Sequence, residues 1–173
     1  MQTICIHQPD FAPHLGFFHR LLLADHYVIL DDVQFIRRGW QHRDKIKGKS
    51  ESRWLTLSIQ KGNFHQKINE VLLATNTEWI EDNLNLLCDA YKNASHFDEV
   101  YSRVELIYRA GHTKMIDLNL DMIRLALDYF QITIPISYAS QYKVEAKSTA
   151  RLIKLIKVLE GGIFLTGTGS RAY

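Results

Sequence analysis

Short apolar runs alternate with helical patterns at both ends of the chain, and this alternation restricts the fold more than any other feature. Near the start, the pattern predicts a strand over residues 3–7, a helix over 15–25 and a second buried strand over 27–30. Near the end, a helix that begins at Ser148 is followed by a strand over 163–166. Such units predict an α/β, Rossmann-like fold, with a mostly parallel sheet and flanking helices.

A central helical block, residues 76–131, lies between these two ends. Apolar residues recur there at steps of three and four, which predicts helices over residues 77–91, 95–111 and 116–130. Thr77 is the predicted N-cap of the first helix, and Ser95 with Asp98 predicts a capping box for the second. Because no linker or repeat divides the chain, we predict a single domain over residues 1–173.

Two further strands are predicted outside this block. Residues 53–59 alternate between polar and apolar side chains, which is typical of a half-buried strand. Residues 132–138 form the other, and Pro135 favours an edge position because proline lacks the N–H that a central strand must donate. Ser148 is the predicted cap of the last helix.

Composition excludes several classes of protein. With 46% hydrophobic and 23% charged residues the chain is expected to be globular. No apolar run approaches the ~20 residues of a membrane span, and the start lacks the pattern of a signal peptide. Cys5 and Cys88 are too few for a disulfide framework or a zinc quartet of cysteines. We therefore expect a cytoplasmic protein and assign no metal ligands to it.

A basic segment covers residues 37–53 and contains only two acids, Asp44 and Glu51. Its cationic residues are Arg37, Arg38, Arg43, Lys45, Lys47, Lys49 and Arg53. This predicts an anionic partner such as a phosphate, a nucleotide or the phosphopantetheine arm of a carrier, while a solvated loop remains the alternative. Nucleic acid is not expected, because the segment is short and no helix-turn-helix or RNP motif accompanies it.

Polar residues follow the first two predicted strands. His7 and Gln8 leave strand one, and Asp31, Asp32 and Gln34 leave strand two. Ligands of open parallel sheets bind outside the carboxyl ends of the strands, so both segments are expected to meet in one crevice. His7 is a candidate general base or hydrogen-bond donor, with a histidine that only satisfies loop carbonyls as the alternative. One aspartate is expected to cap the following loop while the other faces the crevice.

A second pattern resembles the nucleotidylyltransferase superfamily, in which an H-x-G-H turn holds nucleotide phosphates. His14 and Gly16 match this turn, but Phe17 replaces its second histidine. The glycine-rich turn that contains Thr168 and Ser170 resembles the late phosphate-binding segment of the same superfamily, and hydroxyls in such turns bind anions. We predict the fold and a nucleotide-like ligand from this resemblance, rather than nucleotidyl transfer.

Six motifs together resemble the WbqC-like family. They are Ile-His-Gln-Pro at 6–9, Leu-Gly-Phe-Phe at 15–18, Leu-Asp-Asp-Val-Gln-Phe at 30–35, Arg-Gly-Trp-Gln-His-Arg at 38–43, Trp-Leu-Thr at 54–56 and Leu-Thr-Gly-x-Gly-Ser at 165–170. His14 stands where the family more often shows tryptophan. Family members continue further beyond the last motif, so we expect a C-terminally shortened member whose exposed apolar face is covered in a homodimer.

The resemblance implies a bacterial transferase of surface-polysaccharide, O-antigen or lipopolysaccharide biosynthesis. The expected reaction is N-acyl or aminoacyl transfer to an amino sugar or nucleotide-linked sugar, with an unknown acyl donor such as acyl-CoA or an acyl carrier protein. The expected catalytic residues are His7, Asp31 and Asp32. The expected substrate-binding residues are Gln8, His14, Gln34, Arg37, Arg38, Trp40, Gln41, Arg43, Lys45, Thr168 and Ser170. The alternatives are a non-catalytic protein that binds a sugar nucleotide or a partner and, third, a nucleotidyltransferase.

Overall fold

A computed structural model describes residues 1–48 and 50–167. In chain order its elements are β1 (Gln2–His7), α1 (Leu15–Leu23), β2 (His26–Ile29), β3 (Arg43–Ile46), β4 (Arg53–Thr56), α2 (Glu78–Tyr91), α3 (Phe97–Arg109), α4 (Met115–Tyr129), β5 (Ile136–Tyr138), α5 (Ser148–Val158) and β6 (Gly161–Leu165). Short 3₁₀ turns cover Ile68–Glu70 and Ala139–Tyr142. This is the predicted α/β fold.

Four strands form a parallel sheet in the order β5-β2-β1-β6. Cys5 of β1 lies opposite Tyr27 of β2 and Leu165 of β6. β5 occupies one edge, and Pro135 immediately precedes it, as its missing N–H predicts. Within this sheet, β2 and β5 lie on one side of β1, and β6 lies on the other. The order in which strands are added to the sheet therefore reverses between β1 and β6.

The described residues pack into two compact units. Unit 1 contains residues 1–9, 13–33 and those from 126 onward, and unit 2 contains residues 10–12 and 34–125. The parallel sheet, α1 and α5 belong to unit 1, whereas β3, β4, α2 and α3 belong to unit 2. A single domain over the whole chain stays a prediction.

Both faces of the sheet in unit 1 are covered. Ile4, Ile6 and Val28 point to one face and pack against Leu155 of α5. On the other face, Phe17 of α1 lies edge-on to Tyr27, with the ring centroids 5.6 Å apart. The alternation of the strands and the helical spacing of α1 and α5 thus bury two separate apolar layers.

Unit 2 joins a two-stranded antiparallel sheet to helices. β3 pairs with β4, and the Asn83 amide of α2 donates to the Thr56 carbonyl of β4 at 2.9 Å. The predicted apolar face of α4 is buried at Ile116, Leu120 and Ile123. No helix among residues 1–48 and 50–167 is long and apolar enough to cross a bilayer.

Several predicted boundaries and caps differ from the structure. β4 ends at Thr56 rather than at residue 59, and β3 lies in the basic segment, where no strand was predicted. The capping box at Ser95 is wrong: His96 is the N-cap of α3, and the Phe97 N–H donates to the Ala94 carbonyl, so a backbone turn replaces the side-chain cap. Ser148 is the first residue of α5 instead of its cap.

Candidate functional site

His7 is the last residue of β1, at the carboxyl edge where the sheet order reverses. Its Nδ1 lies 2.9 Å from the Gln8 carbonyl oxygen. Because a carbonyl only accepts hydrogen bonds, Nδ1 carries the proton and Nε2 carries the lone pair of the neutral ring. The ring also lies edge-on to Phe17, with centroids 5.3 Å apart. His7 is therefore held in the tautomer that a general base requires.

The surroundings of His7 favour the neutral imidazole. Burial lowers its pKa, and electrostatic interactions with Arg20 and His14 lower it further. The hydrogen bond to the Gln8 carbonyl raises the pKa but does not outweigh burial. At neutral pH the ring is therefore uncharged and able to accept a proton.

Arg20 of α1 extends along the same edge of the sheet. Its guanidinium lies 5.9 Å from the centroid of Phe17 and near enough to Cys5 to act on the pKa of that thiol. A Cβ added to Gly167 would lie 2.6 Å from Arg20 Nη1, so the guanidinium packs directly against the backbone of Gly167, two residues after β6. Burial raises the pKa of the Cys5 thiol despite Arg20, which keeps the sulfur neutral and poorly nucleophilic.

The adjacent aspartates after β2 take different partners. Asp31 is buried, and its Oδ1 accepts from the Ser140 backbone N–H at 3.0 Å. Asp32 accepts from Arg151 Nη2 at 2.7 Å through Oδ1 and at 2.5 Å through Oδ2. The side chains of Asp32 and Arg151 are only 16% and 15% exposed. One carboxylate thus binds the backbone of the 3₁₀ turn after β5, rather than the loop that follows β2, and the other forms a largely buried ion pair.

The start of α1 holds the next predicted site residue. His14 is the N-cap, and its Nδ1 accepts from the Gly16 N–H at 3.0 Å. Gln8 supplies the carbonyl that binds His7. Phe17, at the second histidine position of the H-x-G-H pattern, is 1% exposed and belongs to the aromatic core.

Unit 2 holds the other predicted site residues, beginning with Gln34 and Arg37. Both line a cleft of about 490 Å³ together with Gln60 and Phe64. The Gln34 amide donates to the Phe64 carbonyl at 2.7 Å, and the Phe64 ring is 80% exposed. The cleft therefore combines amides, a cation and an aromatic ring.

The next predicted residues alternate between the core and the surface of unit 2. Gln41 is buried, and its backbone carbonyl accepts from the Asn119 amide at 2.7 Å. Trp40 is 53% exposed and contacts Trp54, with the ring centroids 5.8 Å apart. Gln41 therefore anchors the segment, while Trp40 stands at its surface.

Cationic side chains cover the Trp54 ring. Arg43 Cζ lies 4.0 Å from the ring centroid of Trp54, and Lys45 Nζ lies 5.2 Å from it. The Arg38 carbonyl accepts from Arg43 Nε at 3.0 Å and from Arg43 Nη2 at 2.7 Å. These residues form one cluster. Thr168 and Ser170 lie outside the described residues.

The predicted site residues thus fall into two groups, His7 to Asp32 in unit 1 and Gln34 to Lys45 in unit 2. Within the described part of the chain, no group of three His, Cys, Asp or Glu side chains is placed to hold a metal ion. Sequence reasoning missed Arg20, Arg151 and Trp54 as site residues. Arg20 lies three residues after Phe17 on the same face of α1, and this spacing could have predicted its position. No neighbouring sequence feature could have predicted the role of Arg151.

Comparison with known proteins gives these features a family. The model of the WbqC-like protein family matches residues 8–173. The chain belongs to this family. The resemblance predicted from the six motifs is therefore confirmed for this WbqC-like chain.

One curated relative of the WbqC-like chain is "Uncharacterized protein Rv1507c" of Mycobacterium tuberculosis (strain ATCC 25618 / H37Rv). The two are 30% identical over 175 residues, which cover 100% of this chain and 75% of the relative. No solved structure matches the WbqC-like chain.

Proposed function

We propose that this protein is a transferase that acylates the amino group of an amino sugar or nucleotide-linked sugar, with a thioester as the acyl donor. One observation carries the proposal. His7 stands at the carboxyl edge where the sheet order reverses, with Nδ1 tied to the Gln8 carbonyl and a pKa lowered by burial. This edge is the usual ligand position of open α/β sheets, and the fixed tautomer suits a base.

In the proposed step, the sugar nitrogen attacks the thioester carbonyl carbon. The C–N bond forms, the C–S bond breaks, and the proton of the attacking nitrogen passes to His7 Nε2. His7 then returns that proton to the departing thiolate, so the products are an amide and a free thiol. No oxidant or reductant is needed, and an aminoacyl thioester reacts in the same way.

Arg20 is the cation of this edge in the proposal. It lies near enough to His7 to lower the pKa of that imidazole, and it packs against Gly167. A guanidinium in this position suits the oxygen of the thioester carbonyl, which becomes negative during attack. Asp31 and Asp32 are assigned a positioning role, because Ser140 N–H and Arg151 already bind their carboxylates.

The proposed setting is the bacterial cytoplasm, in surface-polysaccharide biosynthesis, as the family resemblance implies. Cys5 and Cys88 are both free thiols, which suits a reducing compartment. The position of Gln34 and Arg37 in an amide-rich cleft also suits the hydroxyls and charges of a sugar ligand.

The test is an assay of thiol release from acetyl-coenzyme A and aminoacyl thioesters, with a nucleotide-linked amino sugar as acceptor. We expect release that depends on both reactants. His7→Asn should lower kcat by about 10²–10⁴-fold while the melting temperature stays near that of wild type. His19→Gln is the matched control, because His19 is exposed on α1 and should leave kcat unchanged.

The pH profile gives a second readout. The base acts in its neutral form, so kcat should rise with pH through the lowered pKa of His7 and then level off. Full activity of His7→Asn would contradict the proposal. If a sugar nucleotide raises the melting temperature but no thioester is turned over, the result would contradict the enzyme and support a non-catalytic binding protein.

A further inference from the structure

An aromatic and cationic cluster lies on the surface of unit 2, on strands β3 and β4 and just before β3. It consists of Trp40, Arg43, Lys45 and Trp54 and is here called the Trp–Arg surface. We propose that the Trp–Arg surface binds the nucleoside diphosphate part of a ligand, with the base stacked on Trp40 and the phosphates bound by Arg43 and Lys45. This deepens the proposed function, since both a nucleotide-linked sugar and coenzyme A contain that group.

Exposure of the two indoles is the first observation. Trp40 and Trp54 are 53% and 40% exposed, although tryptophan is the side chain with the most apolar surface to bury. The rings contact each other at 5.8 Å with an angle of 37° between their planes. Because Arg43 covers Trp54 at 4.0 Å, the Trp40 ring is the one placed to accept a further planar group.

The backbone holds Trp40 firmly. The Phe11 N–H donates to the Trp40 carbonyl at 2.9 Å, and the Asn119 amide donates to the carbonyl of the next residue at 2.7 Å. Beyond it, the Leu57 N–H donates to the His42 carbonyl at 2.8 Å, and His42 is 6% exposed. The exposed ring therefore stands on a backbone that is fixed to buried parts of the same unit, which lowers the entropy lost on binding.

Arg43 is oriented at a local cost in backbone energy. Its two hydrogen bonds go to the carbonyl of Arg38, which has a φ of 68°, a left-handed conformation that a residue with a side chain rarely adopts. Such strain is typical of functional positions. A Cβ at Gly39 would lie 2.9 Å from the Ile36 carbonyl oxygen, so this tight turn requires the glycine.

The donor count favours an anion. A guanidinium has five N–H donors, and two of those of Arg43 bind the Arg38 carbonyl. The planar guanidinium group holds the remaining three donors in a fixed geometry, which suits the oxygens of a phosphate. Lys45 adds a second positive charge beside the same ring. The one acid of β3, Asp44, alternates with them and binds the Lys45 N–H through Oδ1 at 2.6 Å.

The geometry distinguishes among ligands that stack on tryptophan. A neutral sugar would use the ring but not the two cations. Single-stranded RNA needs separate aromatic platforms for successive bases, whereas Trp40 and Trp54 contact each other and form one platform. One base next to a pair of phosphates matches both the single platform and the two charges.

The experiment is a titration of the full chain with UDP, a UDP-linked sugar and coenzyme A, followed by tryptophan fluorescence and by calorimetry. We expect quenching by at least one of the three and much weaker binding of uridine or pyrophosphate alone. Trp40→Ala and Arg43→Gln should each raise Kd about tenfold, since stacking and a directed phosphate contact are each lost. If the UDP-linked sugar and coenzyme A bind with different affinities, the one that binds more tightly is the ligand whose nucleoside diphosphate occupies the Trp–Arg surface.

The matched controls are Trp79→Phe, which removes the third tryptophan, and Lys157→Gln, which removes an exposed cation of α5. Both should bind with the wild-type Kd. The proposal is overturned if none of the three ligands binds at millimolar concentration, or if Trp40→Ala and Arg43→Gln bind like wild type. Oligouridylate is titrated as a probe for single-stranded RNA, and binding of oligouridylate alone would also overturn the proposal.

This measurement needs no turnover, so it separates the two proposals. Loss of activity in His7→Asn with unchanged UDP binding supports both. Nucleotide binding without thiol release supports the Trp–Arg surface and contradicts the acyltransferase, and the reverse result contradicts the surface alone.

Discussion

The carboxyl edge in unit 1 and the Trp–Arg surface in unit 2 use charged side chains in opposite ways. In unit 1, Asp32 and Arg151 are 16% and 15% exposed and satisfy each other. In unit 2, Arg43 lies on the ring of Trp54, which is 40% exposed, and binds a backbone carbonyl. Removing a charge from the first region leaves a desolvated partner without compensation, whereas in the second region water replaces the lost contact.

This contrast separates stability from binding. Substitutions that break the Asp32–Arg151 pair or the aromatic layer around Phe17 in unit 1 should lower the free energy of unfolding, because they break buried contacts. Substitutions at the Trp–Arg surface should change ligand binding and leave stability nearly intact. The following predictions are ordered by the expected loss in free energy of unfolding.

The largest effect is expected for Phe17→Ala. Phe17 is 1% exposed and packs against Tyr27 and His7, so its loss leaves a cavity in the aromatic layer. We expect a loss of about 4 kcal/mol in urea unfolding. Phe64→Ala is the control in unit 2, because that ring is 80% exposed and should change stability by less than about 0.5 kcal/mol. Equal losses in the two variants would contradict the comparison.

Arg151→Met should have the next largest effect. It leaves the Asp32 carboxylate largely buried without its partner, at an expected cost of about 3 kcal/mol. Adding Asp32→Asn should recover part of this loss in a double-mutant cycle. Arg109→Met is the control, because the Arg109–Glu81 pair is 46% and 56% exposed and should contribute little. Additive losses for Arg151 and Asp32 would show that the pair is not coupled.

Acidification should produce a smaller loss. Burial lowers the pKa of His7, His26 and His42, so the folded state binds fewer protons than the unfolded state below about pH 6.5. Stability should therefore be complete above that pH and fall as the pH drops from 6.5 through the folded pKa values. Urea midpoints at pH 7.5 and 5.5 measure this. His7→Asn should make the urea midpoint depend less on pH, while His19→Gln should leave that dependence unchanged. A midpoint that rises on acidification would contradict this prediction.

The smallest effect is expected for Arg43→Gln, about 1 kcal/mol or less, because the cation–aromatic contact is at the surface. Urea unfolding at neutral pH measures it. The same variant should bind nucleotide about tenfold more weakly, so stability and binding separate in one protein. A loss as large as that of Arg151→Met would place Arg43 among the structural residues instead.

Much of the fold was predictable, and the errors were local. The strand before His7 and the helix that packs Phe17 follow from the alternation of apolar residues over short stretches. The Ser95 cap was wrong because a backbone turn at Ala94 satisfies the start of α3. β3 was missed because three of its four residues are charged, including Arg43 and Lys45. Ile46 is its one apolar residue, so the strand shows no alternation of apolar and polar side chains.

The sequence by itself determined the order of the five helices and of every strand except β3, the parallel α/β class and the family, because periodicity and motifs are properties of neighbouring residues. Only the tertiary structure decided which side chains meet. It paired Asp32 with Arg151 across 119 positions and brought the Asn119 amide to the Gln41 carbonyl across 78 positions. Such contacts depend on the path of the whole chain and on which charges burial leaves in need of a partner.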